Sequence, residues 1–106
     1  MLAAGDADGA CNRAYYAMFD AARAALLASG QQIATTHRGV LAAFSERVVK
    51  AGRLTKETGR LLKHAEAVRY VADYSASPVD LSDAREIVDQ AAAFVASVRA
   101  EFFSET

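Results

Sequence analysis

Apolar positions recur along this chain at the three- and four-residue intervals of amphipathic helices. No stretch alternates apolar and polar residues for long enough to predict a strand. From Ala10 to Leu27 the chain is apolar nearly all round, the pattern of a helix at the centre of a bundle. Among its few polar exceptions, Arg13, Asp20 and Arg23 are offset by seven and then three residues, so they share one stripe, with Tyr16 between them. The helix is expected to begin near Asp6 or Asp8 and to run to about Ser29. Gly30 then stands where helices favour a terminating glycine.

Three more helices follow from the same reasoning. Thr36 can cap a second helix that ends at Gly52, with Val40, Phe44 and Val48 on one face and Leu41 alongside. Thr55 can cap a third, to about Tyr74, with Leu61, Ala65, Val68 and Ala72 along one side. Residues 75–79 contain Pro78, the sole proline, and read as a loop. Asp80 or Ser82 then caps a fourth helix whose inward stripe is Ala84, Ile87, Ala91, Phe94, Val98 and Phe102. Four helices joined by short connections predict an all-α, antiparallel up-and-down four-helix bundle.

The length of 106 residues suits one domain spanning residues 1–106. A hydrophobic content of 53% is enough for a packed core. A helical domain this small still leaves much apolar surface exposed, so a homodimer is expected. The formal net charge of −1 advertises no nucleic-acid-binding surface, although a local basic patch stays open. Cys11, the single cysteine, excludes an internal disulfide and reads as a small buried hydrophobe. With neither a secretory leader nor an apolar run able to span a bilayer, the reading is cytoplasmic and soluble, with no membrane contact. Two histidines without a cysteine pair or a close carboxylate cluster make no convincing metal site. No glycine-rich phosphate loop is present and no cofactor is expected.

Three strings carry a family resemblance. Arg13-Ala14-Tyr15-Tyr16-Ala17-Met18-Phe19, preceded by Asn12, resembles the RAYYAMF signature of the HEPN domain family. Thr36-His37-Arg38-Gly39-Val40 resembles the THRGV start of its next helix. Arg69-Tyr70-Val71-Ala72-Asp73-Tyr74 resembles the RxxADY end of its third long helix. Their order and spacing agree, and the similarity covers nearly the whole chain. The double tyrosine is the most specific of the three. The resemblance implies a helical bundle that commonly dimerises and partnership with a small nucleotidyltransferase, often as the toxin half of a toxin–antitoxin pair. It also implies that many relatives are metal-independent ribonucleases, which use an arginine followed after four to six residues by a histidine, in a cleft completed by a second subunit. Relatives usually carry another helix before the position of Gly5, and that helix is either absent from this protein or lies outside these 106 residues.

No arginine of this chain precedes a histidine at the ribonuclease spacing. Arg60 and His64 have only three residues between them, and at the best-matching position Arg69 is followed by Asp73 and then Tyr74. Metal-independent RNA cleavage needs a base for the 2′-hydroxyl proton and a cation for the developing phosphate charge. Arg69 suits the second role. Asp73 is a weak base with an ordinary pKa of about 4, and an arginine one turn away lowers it further. Arg69 and Asp73 are the catalytic candidates, with a structural ion pair as the simpler reading of both. Arg13, Tyr16 and Arg69 are the candidates for holding a ligand's phosphate, from nucleotide or RNA, in one polar cluster with Asp73. Of the adjacent tyrosines, one is expected to pack in the core and the other to line the cleft beside Arg13. His37, at a helix start, and His64, on a face with Arg60, Val68 and Val71, read as packing or solvated residues. In some HEPN toxins a tyrosine just beyond the motif histidine accepts nucleotide groups, and the resemblance makes Tyr74 a modification candidate. On balance the chain reads as a binding partner of a nucleotidyltransferase, with a toxin ribonuclease as the alternative.

Overall fold

The computed structural model describes residues 7–30, 36–74 and 80–103, apart from the side chains of Asp8 and of residues 71–74. Helix α1 spans Ala7–Ala28 and α2 spans His37–Phe44. A π-helical segment, Ser45–Val49, continues α2; α3 spans Lys56–Tyr74 and α4 spans Leu81–Phe102. No strand occurs among the described residues, and the four helices form the expected bundle.

Helix α1 is central because apolar residues cover most of its circumference and leave only a narrow polar stripe. It touches α2, α3 and α4, with α4 covering it most extensively. Cys11, Tyr15, Met18, Ala22 and Leu26 are buried along it, while Arg13, Asp20 and Arg23 point to solvent. The alanines among its buried positions let neighbouring backbones come close. On α4 the expected stripe is buried from Ala84 to Val98, and Phe102 is half-buried beneath the Arg53 guanidinium, 4.3 Å from its ring centre. Phe44 and Phe94 meet at 5.5 Å between ring centres, both sealed from water. Each such side chain contributes about 1.5–3 kcal/mol by leaving water.

The helix ends follow local chemistry. Thr36 Oγ1 accepts from the Gly39 N–H at 3.0 Å, and Thr55 Oγ1 accepts from the Thr58 N–H at 3.1 Å. Asp80 holds the cap position of α4 but makes no capping bond, because its carboxylate accepts from the Ser82 hydroxyl at 2.8 Å. Gly30 and Gly52 adopt φ of 76° and 83°, the left-handed conformation that glycine enters at little cost.

Two details differ from the periodic reading. The second helix does not stay α-helical to Gly52: its last turn widens, and the Lys50 N–H reaches the Ser45 carbonyl five residues back at 3.0 Å. The wider turn keeps Val48 in the core and leaves Val49 half-buried against Gly59. On α3, Leu62 and Ala65 are the buried positions, while Leu61 and Val68 are only half-covered. That helix is rotated slightly from the face its apolar spacing suggested, and Ala72 lies outside the described side chains.

Candidate functional site

The double tyrosine divides its work as adjacent helical residues must. Tyr15 is sealed in the core, and Tyr16 is half-buried at its edge. Their rings meet edge to face with centres 5.3 Å apart. Helix α3 brings Arg69 against this pair. The Arg69 guanidinium carbon lies 5.2 Å from the centre of each ring. Its Nη2 donates to the Tyr16 hydroxyl at 3.1 Å, and its Nε points to Asn12 Oδ1 at 3.4 Å. Asn12 is one turn before Tyr16 on α1, which puts both on one face.

On the other flank, the first residue of α2 joins the same aromatic cluster. The His37 ring lies tilted by 36° against Phe19 with centres 4.3 Å apart and stands 6.0 and 5.6 Å from Tyr15 and Tyr16. Its Nδ1 is 3.5 Å from the Tyr15 hydroxyl. Burial raises the Tyr15 pKa above the ordinary 10.0. The Glu66 carboxylate and Tyr16 push in the same direction, and the nearby Arg69 charge opposes them. Tyr15 is therefore a neutral phenol at physiological pH, able to donate a proton to His37 in a hydrogen bond.

The expected cluster is thus assembled in part. Tyr16 and Arg69 are in contact. Arg13 is exposed, and its Nη1 folds back to 3.2 Å from where a Cβ on Gly9 would lie. The cleft partner of Tyr16 is Arg69, not Arg13. Asp73 and Tyr74 end α3, and their side chains lie outside the described residues. His37 and Asn12 were not among the sequence candidates. The signal for Asn12 was its one-turn offset from Tyr16. His37 was read as packing, and it does pack, but against the two signature tyrosines. His64 makes a different contact, with its Nδ1 3.0 Å from Gln90 Oε1, tying α3 to α4.

The strip has definite chemical capacity. Arg69 presents a planar, permanently charged fork suited to phosphate or carboxylate. Two ring faces and the Tyr16 hydroxyl fix its orientation, so less freedom is lost when a ligand arrives. Among the described residues, no group of three or more histidine, cysteine, aspartate or glutamate side chains could hold a metal ion. No helix of the described residues is long and apolar enough to cross a membrane.

A family model, described as the HEPN domain, matches residues 1–101. The chain belongs to the HEPN family. It is similar to a UPF0332 protein of Gloeobacter violaceus, 36% identical over 100 residues, covering 92% of this chain and 78% of that one. A UPF0332 protein of Thermotoga maritima is 43% identical over 65 residues, covering 61% and 48% of the two chains. A protein of Methanocaldococcus jannaschii named "Putative toxin" is 31% identical over 87 residues, covering 82% of this HEPN chain and 64% of its own length. No solved structure matches the chain.

Proposed function

We propose that this HEPN protein is the toxin-side, nucleotide- or RNA-binding partner of a small nucleotidyltransferase, holding phosphate at Arg69 and acting without strong catalysis of its own. The observation that carries the reading is the pre-oriented Arg69 guanidinium, bonded to Tyr16 and flanked by two ring faces. The Methanocaldococcus relative's name supports the toxin side of the pairing. Arg13, one turn before Tyr16 and exposed, can add a second cation when a ligand extends along α1. Asp73, four residues after Arg69 in the sequence, is of a residue type ill suited to general acid or base work here, and Tyr74 is the position a partner enzyme would modify. In this reading the active form is a homodimer, as expected of a helical domain this small.

The direct test is calorimetric titration of the intact chain with a nucleoside monophosphate, alongside Arg69→Ala and Arg69→Lys. Binding is expected to fall about tenfold or more in both variants, since lysine cannot reproduce the planar fork. Equal affinity in Arg69→Ala would refute the site. Co-purification with a nucleotidyltransferase encoded beside the gene tests the partnership. Mass spectrometry of Tyr74 after incubation with that enzyme and a nucleoside triphosphate tests the modification.

A second reading, a metal-independent ribonuclease with a composite site at a dimer interface, is favoured by one specific observation. Helix α2 brings an imidazole, His37, to the tyrosine pair that also holds Arg69. It would supply the proton acceptor that Asp73 cannot. Structured and unstructured RNA incubated without metal should stay intact under the first reading. Cleavage that disappears in both Arg69→Ala and His37→Ala would make the second reading the leading one.

A further inference from the structure

We propose that the groove between the π segment and the start of α3 is a second ligand site, for a small organic anion with a planar apolar ring and a phosphate. It shares no residue with the Tyr16–Arg69 strip and goes beyond the function proposed there. The cavity has a volume of about 230 Å³, with Leu41, Phe44, Val49 and Leu62 forming its apolar part. Four cations, Lys50, Lys56, Arg60 and Lys63, line the same space, and no carboxylate among the described residues does. Lys56, Arg60 and Lys63 follow one another at offsets of four and three, so they form one ridge of α3. Lys50 is paired with Glu46 at 3.2 Å and Arg60 with Glu57 at 3.7 Å, both pairs largely exposed. Such pairs contribute little and exchange readily for a better anion. Among the described residues, Lys56 and Lys63 have no acidic partner.

The ligand class follows from this lining. Inorganic phosphate alone would leave the apolar floor wet, and an uncharged ring would leave Lys56 and Lys63 without an anion. A volume below the usual range for drug-sized ligands, about 300–1,000 Å³, admits one ring with its charged group at the mouth. Local backbone chemistry shapes the wall. The π turn carries Ser45 and Val49 to the cavity, and π turns recur at functional sites. Gly59 permits the close approach of α3, since a Cβ there would lie 3.0 Å from Val49 Cγ2.

The test is an amide-resolved NMR titration of the full chain with phenyl phosphate, inorganic phosphate and phenol. Phenyl phosphate is expected to shift the amides of Ser45–Val49 and of residues 56–63 saturably, with a dissociation constant on the order of 1 mM. Inorganic phosphate and phenol should each bind at least about tenfold more weakly. The double variant Lys56→Ala/Lys63→Ala should also lose about tenfold, and Lys56→Arg/Lys63→Arg should restore binding. The proposal is overturned by an absence of saturable shifts at these residues, by equal binding of inorganic phosphate, or by unchanged affinity in the alanine variant. Shifts gathered instead around Tyr16 and Arg69 would overturn it too, while supporting the phosphate site proposed above.

Discussion

The two ends of α3 both present cations, and they do so in opposite ways. Near its C-terminal end, Arg69 is half-buried, bonded to the Tyr16 hydroxyl and flanked by two aromatic rings. At its N-terminal end, Lys56, Arg60 and Lys63 stand exposed around an apolar cavity, with at most a loose ion pair. The first arrangement spends folding energy on orientation and suits a ligand of fixed geometry. The second keeps rotamer freedom and can follow an anion of variable shape, at an entropic cost for each lysine it orders. Substitution should therefore damage stability at one end and ligand affinity alone at the other.

The largest effect is expected at Tyr15, whose ring supports both Arg69 and His37 from within the core. Tyr15→Ala should lower the unfolding free energy by about 3–5 kcal/mol, as large-to-small changes of buried aromatics do. Urea denaturation checks this, and a loss no greater than that of a surface change would dissolve the contrast between the two ends.

Arg69→Met keeps much of the stem and removes the charge, the bond to Tyr16 and the ring contacts. A loss of about 1–2 kcal/mol is expected, the worth of one charged hydrogen bond with a partly exposed cation–π contact. A loss below about 0.5 kcal/mol, ordinary for a surface site, would mean that the guanidinium is only perched there.

Alkaline pH probes the same end more gently. The Tyr15 pKa is raised in the folded chain by burial, then by Glu66. The folded state thus holds this proton more tightly than the unfolded one. The associated stability is complete below the ordinary tyrosine pKa of about 10 and is lost as pH rises through the raised folded value. Thermal melts between about pH 9 and 11 should fall more steeply for the wild type than for Tyr15→Phe. Parallel slopes would show that Tyr15 does not carry the effect.

The smallest change in stability is expected at the other end. Lys56→Ala/Lys63→Ala should shift the unfolding free energy by no more than about 0.5 kcal/mol, because both side chains are exposed and make no ion pair among the described residues. A larger loss would mean that the ridge is structural, and the difference between the ends would narrow.

Much of this molecule could be read from residue order. The apolar all-round stretch of α1, the α4 stripe from Ala84 to Val98, the Thr36 and Thr55 caps and the glycine stops are local consequences of side-chain chemistry. They appear where the periodicity and the capping residues placed them. The family, too, was legible, because the double tyrosine and its neighbours form a contiguous string and the family match runs over residues 1–101. Tertiary structure decided the pairings among distant side chains. The residue order put Arg13 beside Tyr16, and only the packing of α3 on α1 gave that place to Arg69. His37 looked like a packing or solvated residue until α2 laid it on Phe19 and beside Tyr15. The cation-lined cavity was likewise invisible, since its wall depends on how closely Gly59 lets α3 approach Val49. Helix formation is governed by neighbours three and four residues apart, which a sequence displays directly. A site is governed by contacts between residues more than fifty positions apart, as between Tyr16 and Arg69, and those exist only once the helices have packed.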